Sequence, residues 1–213
     1  MYARYGSSSI TPGVKNLILS TIAVFLIQQF IAGREFLEIF GLVPLYIVDR
    51  LYVWQVFTYI FLHGDLMHIA MNMFFLWMFG CELEREWGTK EFVKYYLLTG
   101  TIAGITIFLW NFNSFGFTIG ASGAVFAILA AYALFYPDRE IMLLLFPVPI
   151  KVKYFVLIIG LLEFIMLPRQ DGISHIGHLG GLVAGFLYLR HRYARYGIGN
   201  NIFKDLFKKK GPF

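Results

Sequence analysis

The side chains able to move a proton or attack a carbonyl gather in three short stretches of the 213 residues. His68 and Asn72 stand four apart, Ser122 lies inside Gly120-Ala121-Ser122-Gly123, and His175 and His178 precede a run containing Gly181 and Gly185. Serine and histidine are the partners of nucleophilic acyl transfer. The imidazole takes the hydroxyl proton and later returns it to the leaving amine. Histidine and asparagine at an i, i+4 spacing share a helix face and can both donate to a developing oxyanion. The glycines around Ser122 let backbone approach a reacting carbon, and a helix beginning there offers free N–H groups. Asp65, Glu163 and Asp171 are the nearest carboxylates, and no spacing ties any of them to an imidazole. A Ser–His dyad is therefore the economical reading. Each stretch also has a plainer explanation. Gly-Ala-Ser-Gly serves as a small-residue packing face in many apolar helices, and a lone histidine at a helix end commonly sits at an interface.

These residues must be positioned by a membrane domain. The chain is 58% hydrophobic, 19% aromatic and only 15% charged, with a mean hydropathy of +0.66. A soluble domain carries about a quarter charged residues, so a soluble enzyme and a disordered tail are both excluded. The length suits one domain, residues 1–213, with no linker rich in Pro, Ser or charge. Cys81 is alone and forms no internal disulfide. A spanning helix needs about 20 apolar residues. That length predicts spans at Asn16–Gly33, Leu66–Cys81, Phe92–Trp110, Ser122–Tyr136, Lys153–Leu167 and Ser174–Leu189. The Asn, Ser and Gly cluster at 111–120 separates the third from the fourth. The expected fold is thus an all-α bundle of six transmembrane helices.

Arg4, Lys15, Arg85, Lys90, Lys94, Arg139, Lys151 and Lys153 fall on one side, with Arg190, Arg192, Arg195, Lys204 and Lys208 to Lys210 in the tail. Only Arg34, Arg50 and Arg169 fall on the other. Positive charge marks the cytoplasmic side, so both termini are expected there. The first apolar segment lacks a small-residue cleavage site and reads as a helix, not a signal peptide. The long connection Gly33–His63 is too apolar for a solvated loop and too interrupted by Pro44 and Asp49-Arg50 to span, which predicts an interfacial segment on the outer side. The basic tail, 191–213, reads as solvated or facing anionic lipid. With this topology His68, Asn72, Ser122, His175 and His178 all fall a turn or two below the outer surface. Ionisable groups inside spans are costly and point to function. Their shared depth, not any single motif, carries the argument.

At these residues the chain resembles the rhomboid family of intramembrane serine proteases, over roughly residues 16–190. His63-Gly-Asp-Leu-Met-His68-Ile-Ala-Met-Asn72 is similar to the family's histidine-rich opening that ends in the oxyanion His and Asn. Glu84-Arg-Glu-Trp-Gly88 resembles its Glu-x-x-x-Gly, and Gly120-Ala-Ser122-Gly123 its Gly-x-Ser-Gly. His178, followed by Gly181 and Gly185, is similar to the catalytic histidine with glycines three and seven residues on, which let two helices pack closely. His175 lacks those glycines and reads as a neighbour. His63, by the resemblance, orders the loop before the second span. Two positions depart from the family. Phe126 stands where a tyrosine often stacks on the imidazole, and Gln55 follows Trp54 where the family commonly has Trp-Arg.

The resemblance implies hydrolysis of peptide bonds in or beside the transmembrane helices of other proteins. Ser122 would be the nucleophile and His178 the general base and acid. His68, Asn72 and the Ser122 N–H would form the oxyanion hole, with Gly120, Gly123, Phe126, Gly181 and Gly185 in support. His178 must be neutral to accept the proton, so activity should fall in acid. A bond inside a helix is masked until the helix unwinds, so substrates should carry helix-weakening residues near the cut. The expected partners are transmembrane substrates and lipids. No cofactor, metal or nucleic acid is expected, and the short termini suggest a bacterial inner membrane. A catalytically inactive relative that binds transmembrane helices as an adaptor is the alternative. A proton-coupled transporter would want ionisable groups across the whole membrane or an inverted repeat, and neither is visible.

Overall fold

An apolar segment that cannot bond its backbone to water satisfies it internally as a helix. In the computed structural model, which describes residues 9–31, 33–143, 146–169 and 172–195, each of the six apolar segments does so. They form α1 (Pro12–Phe30), α5 (Leu66–Trp87), α6 (Thr89–Trp110), α7 (Ser122–Phe135), α8 (Val152–Met166) and α9 (His175–Arg195). The first three are long and apolar enough to cross a membrane; α7 is a shorter apolar helix. Three short helices, α2 (Gly33–Phe40), α3 (Pro44–Asp49) and α4 (Gln55–Thr58), occupy the long connection, followed by a 3-10 turn at Tyr59–Phe61. The tail beyond residue 195, Arg4 and Asp171 lie outside the described residues.

Helix α7 is the hub. Every residue from Gly123 to Leu134 is buried except Phe126. Its neighbours come close because small residues face it. A Cβ on Gly181 of α9 would overlap the Gly123 carbonyl oxygen and stand 2.7 Å from its carbon. One on Gly100 of α6 would stand 3.1 Å from the Ala124 Cβ. Tyr95 of α6 donates to the Ala127 carbonyl at 2.6 Å, fixing the same junction by a hydrogen bond.

The connection expected to lie in the outer interface is a folded unit. Leu42, Val43, Ile47, Tyr59 and Ile60 are buried against the bundle, while Leu51, Val53, Trp54 and Phe57 are exposed. Gln55 is fully buried and ties the unit together. Its Oε1 accepts from the Val43 N–H at 3.0 Å and its Nε2 donates to the Glu38 carbonyl at 2.8 Å. A neutral amide thus does at this position what its two-sided hydrogen bonding allows.

One element departs from an all-α reading. Residues Glu140–Leu143 and Phe146–Lys151 form β1 and β2, an antiparallel pair between α7 and α8 with Glu140 opposite Lys151 and Met142 opposite Pro149. Pro147 and Pro149 read as breakers in sequence. A two-stranded ribbon has only edge strands, where a missing N–H is tolerated.

At the opposite end from the histidines, Glu84 of α5 is buried and caps α1. Its carboxylate accepts from the Gly13 and Val14 N–H groups at 2.7 and 2.8 Å, from Thr11 Oγ1 at 2.5 Å and from Thr89 Oγ1 at 2.6 Å. Hydrogen bonds to a charged group contribute about 1.5–3 kcal/mol each, and orphaned buried donors cost more still. Glu84→Ala should therefore lower stability by about 3 kcal/mol or more in a denaturant titration in detergent; a change below about 1 kcal/mol would contradict this role.

Candidate active site

Gly120 has φ +126, a conformation only glycine adopts freely, and it turns the chain into α7 at Ser122. Ser122 thereby opens a helix whose first N–H groups lack partners in their own turn. On α9, His178 lies one turn in from the start, beside Gly181, so the close α7–α9 approach carries its ring to Ser122. Nε2 of His178 stands 2.7 Å from Ser122 Oγ. The Phe126 ring lies on the imidazole with centroids 4.4 Å apart and planes 8° from parallel. Stacking at this position needs only the ring, so phenylalanine supplies it without a hydroxyl.

The pair lies in the wall of a cavity of about 670 Å³, which is also lined by His68, Asn72, Phe75, Val125 and Phe155. His68 closes on the glycine turn: a Cβ on Gly120 would stand 2.7 Å from His68 Nε2, so any other residue there would strike the imidazole. Asp65 caps α5 by accepting from the His68 N–H at 2.9 Å. Asn72 spends one amide hydrogen on the His68 carbonyl at 2.9 Å, leaving the second for the cavity. The structure thus brings together Ser122, His178, His68, Asn72, Gly120, Gly123, Phe126 and Gly181. Gly185 lies a turn further on, where a Cβ would meet Tyr95 Oη and stand 2.9 Å from the Ala127 Cα. It serves the helix junction, not the cavity.

His63 links the loop before α5 to α1 and to the turn before Ser122. It is fully buried, its carbonyl accepts from Gln28 Nε2 at 2.6 Å, and its Nε2 accepts from the Ala121 N–H at 3.4 Å. Burial, with the neighbouring His68, pushes its pKa down to about 4, so it holds the turn before Ser122 as a neutral acceptor.

The expectation that no carboxylate accompanies the pair is overturned. Glu163 of α8 reaches across to the neighbouring helix α9. Its Oε2 lies 2.6 Å from His175 Nδ1 and its Oε1 lies 3.0 Å from His178 Nδ1. The second contact is at ion-pair distance, without an aligned hydrogen bond at Nδ1. Catalytic hydrogen bonds are often poorly aligned before substrate is present. Sequence spacing missed Glu163 because it lies on a different helix, whose rotation is set by packing. A carboxylate within an apolar span whose other charge, Lys153, stands at the opposite end was the available signal.

A bundle built around a serine and a histidine on adjacent apolar helices defines the class: an integral, multi-pass membrane protein with a buried polar site. Residues 50–195 match the profile of the Rhomboid domain, and the chain belongs to the rhomboid family. It is 30% identical over 186 residues to Rhomboid protein 1, mitochondrial, of Saccharomyces cerevisiae, covering 82% of this chain and 52% of that protein. It is 31% identical over 166 residues to RHOMBOID-like protein 1 of Arabidopsis thaliana, covering 73% of this chain and 40% of that one. Against Rhomboid protease GluP of Bacillus subtilis the identity is 33% over 133 residues, 62% of this chain and 25% of the protease. The chain spans about half or less of the length of these relatives.

Proposed function

We propose that the chain is an intramembrane serine endopeptidase that hydrolyses peptide bonds in or next to the transmembrane helices of other membrane proteins. The observation that carries this reading is the 2.7 Å contact between Ser122 Oγ and His178 Nε2, in the wall of a cavity and under a stacked Phe126 ring. Ser122 attacks the carbonyl carbon as His178 takes its proton. The imidazolium then protonates the leaving amine, and water repeats the sequence on the acyl-enzyme. His68, the free hydrogen of Asn72 and the Ser122 N–H bind the oxyanion. The name of the Bacillus relative, a rhomboid protease, agrees with this chemistry.

In this reading residues 1–213 form one domain whose six helices all span the bilayer. The cation bias puts both termini on the cytoplasmic face of a bacterial cell membrane and opens the site to the outer side, with α2–α4 in the outer interface. Lipids surround the exposed apolar faces, and neither nucleic acid nor a metal takes part.

A fluorophosphonate probe tests the reading without a known substrate. Labelling of the purified chain is expected, with its loss in Ser122→Ala and in His178→Ala; equal labelling of all three, or none, favours a non-catalytic helix-binding adaptor. Removing one oxyanion donor costs about 100-fold to 1,000-fold in turnover elsewhere. His68→Ala and Asn72→Ala should each lower kcat for a single-span substrate by about 100-fold; less than about threefold for both would remove them from the oxyanion site.

A further inference from the structure

We propose that Glu163 is a positioning residue for His178, turning the Ser–His pair into a three-helix relay of Glu163, His178 and Ser122. This rests on the protease reading above. The two ring nitrogens of His178 face opposite partners, Nε2 toward Ser122 Oγ at 2.7 Å and Nδ1 toward Glu163 Oε1 at 3.0 Å. To accept the serine proton, Nε2 must be bare, so the ring's one proton belongs on Nδ1. A carboxylate at Nδ1 favours that tautomer and stabilises the imidazolium that forms when the proton arrives. Phe126 fixes the ring plane from its face but is indifferent to the tautomer.

The carboxylate is itself held in place. Its second oxygen is bound by His175 Nδ1 at 2.6 Å, and the His175 side chain is only 3% exposed, against 15% for Glu163 and 12% for His178. Around Glu163 the outer part of α8 turns Leu157, Ile158, Leu161, Leu162 and Phe164 outward, so no apolar packing explains a carboxylate directed the other way. Among the described residues the remaining titratable neighbour of His178 is His68 on α5, which lies on the cavity side.

These three side chains could also suggest a metal, since their ligand atoms lie within 4.8 Å of one another. The spacing argues instead for direct contact, a hydrogen bond to His175 and an ion-pair distance to His178. Zinc ligands at about 2.0–2.1 Å in tetrahedral array stand roughly 3.3 Å apart, whereas the oxygens here are 2.6 and 3.0 Å from the nitrogens.

The test compares wild type, Ser122→Ala, Glu163→Gln and Glu163→Asp by the rate of fluorophosphonate labelling, resolved into binding and reaction steps. Glutamine keeps the shape but can donate to Nδ1, which favours the unproductive tautomer. Glu163→Gln should slow the reaction step by at least about tenfold with the binding step unchanged, and Glu163→Asp should recover part of the loss. A reaction step within twofold of wild type in Glu163→Gln, with Ser122→Ala unlabelled, overturns the role of Glu163 and leaves the protease reading standing. Labelling of Ser122→Ala equal to wild type sinks the protease reading itself. Wild-type protein supplies an independent measurement should Glu163→Gln not fold. In histidine-15N spectra, assigned with His175 and His178 variants, His178 should carry its proton on Nδ1. A proton on Nε2 overturns the proposal.

Discussion

Ser122→Ala should reduce cleavage of a single-span substrate in proteoliposomes by about 10⁴-fold or more, while the thermal midpoint in detergent stays near that of wild type. The two expectations separate because the hydroxyl does little for the fold. Ser122 Oγ is bonded to His178 Nε2 at the cavity wall, and α7 is held by the apolar surface from Gly123 to Leu134, not by its first side chain. Only the reaction loses its nucleophile. Members of a catalytic unit are also strongly non-additive. The double variant Ser122→Ala/His178→Ala should therefore be no worse than either single one. Cleavage by Ser122→Ala within tenfold of wild type would remove the serine from the chemistry.

Gly181→Ala should be the most damaging glycine-to-alanine change among the described residues. Alanine is the better helix former by roughly 1 kcal/mol, so propensity alone predicts a gain. The added Cβ would overlap the Gly123 carbonyl oxygen, and that neighbour is backbone inside a buried helix, unable to rotate away. Overpacking of this kind costs about 1–3 kcal/mol and occasionally more, so the clash wins. A net loss of about 2 kcal/mol or more is expected. Catalysis should fall further, by about 100-fold, because pushing α9 outward parts His178 from Ser122, and a misplacement near 1 Å is enough for that. Gly160→Ala on α8 is the control: its Cβ would meet only the flexible end of Leu182 at 3.3 Å. Equal stability of the two variants, measured by denaturant titration, would show that the α7–α9 contact does not limit the fold.

Much of the molecule was readable before any packing was considered. The six helices begin within four residues of their expected starts, as with Ser122–Phe135 for α7 and Val152–Met166 for α8, while α5 and α9 each run six residues past their expected ends. Apolar run length and Asn, Ser, Gly and Pro punctuation are local properties, and they govern helix existence. Ser122, His178, His68 and Asn72 meet at one cavity because each lies in the first two turns of its helix, α5, α7 or α9, and those three helix starts share one end of the bundle. The β1–β2 ribbon was missed since its prolines mimic a loop, and the short helices of the outer connection were not foreseen because mixed apolar residues suit either lipid or a protein surface.

What the sequence determined by itself was class, helical segmentation and which polar residues stand near the starts of α5, α7 and α9, all of which follow from composition and short spacing. Only the tertiary structure decided which partners those residues have. Glu84 joins Thr11 across 73 positions, His63 reaches the Ala121 N–H across 58, and Glu163 turns between His175 and His178 from a separate helix. The physical reason is common to all three. A polar side chain buried in an apolar bundle must find a hydrogen-bond partner, but which one it finds depends on the rotation and separation of whole helices. Those are set by small-residue contacts such as Gly181 on Gly123, which act at a distance that no local pattern encodes.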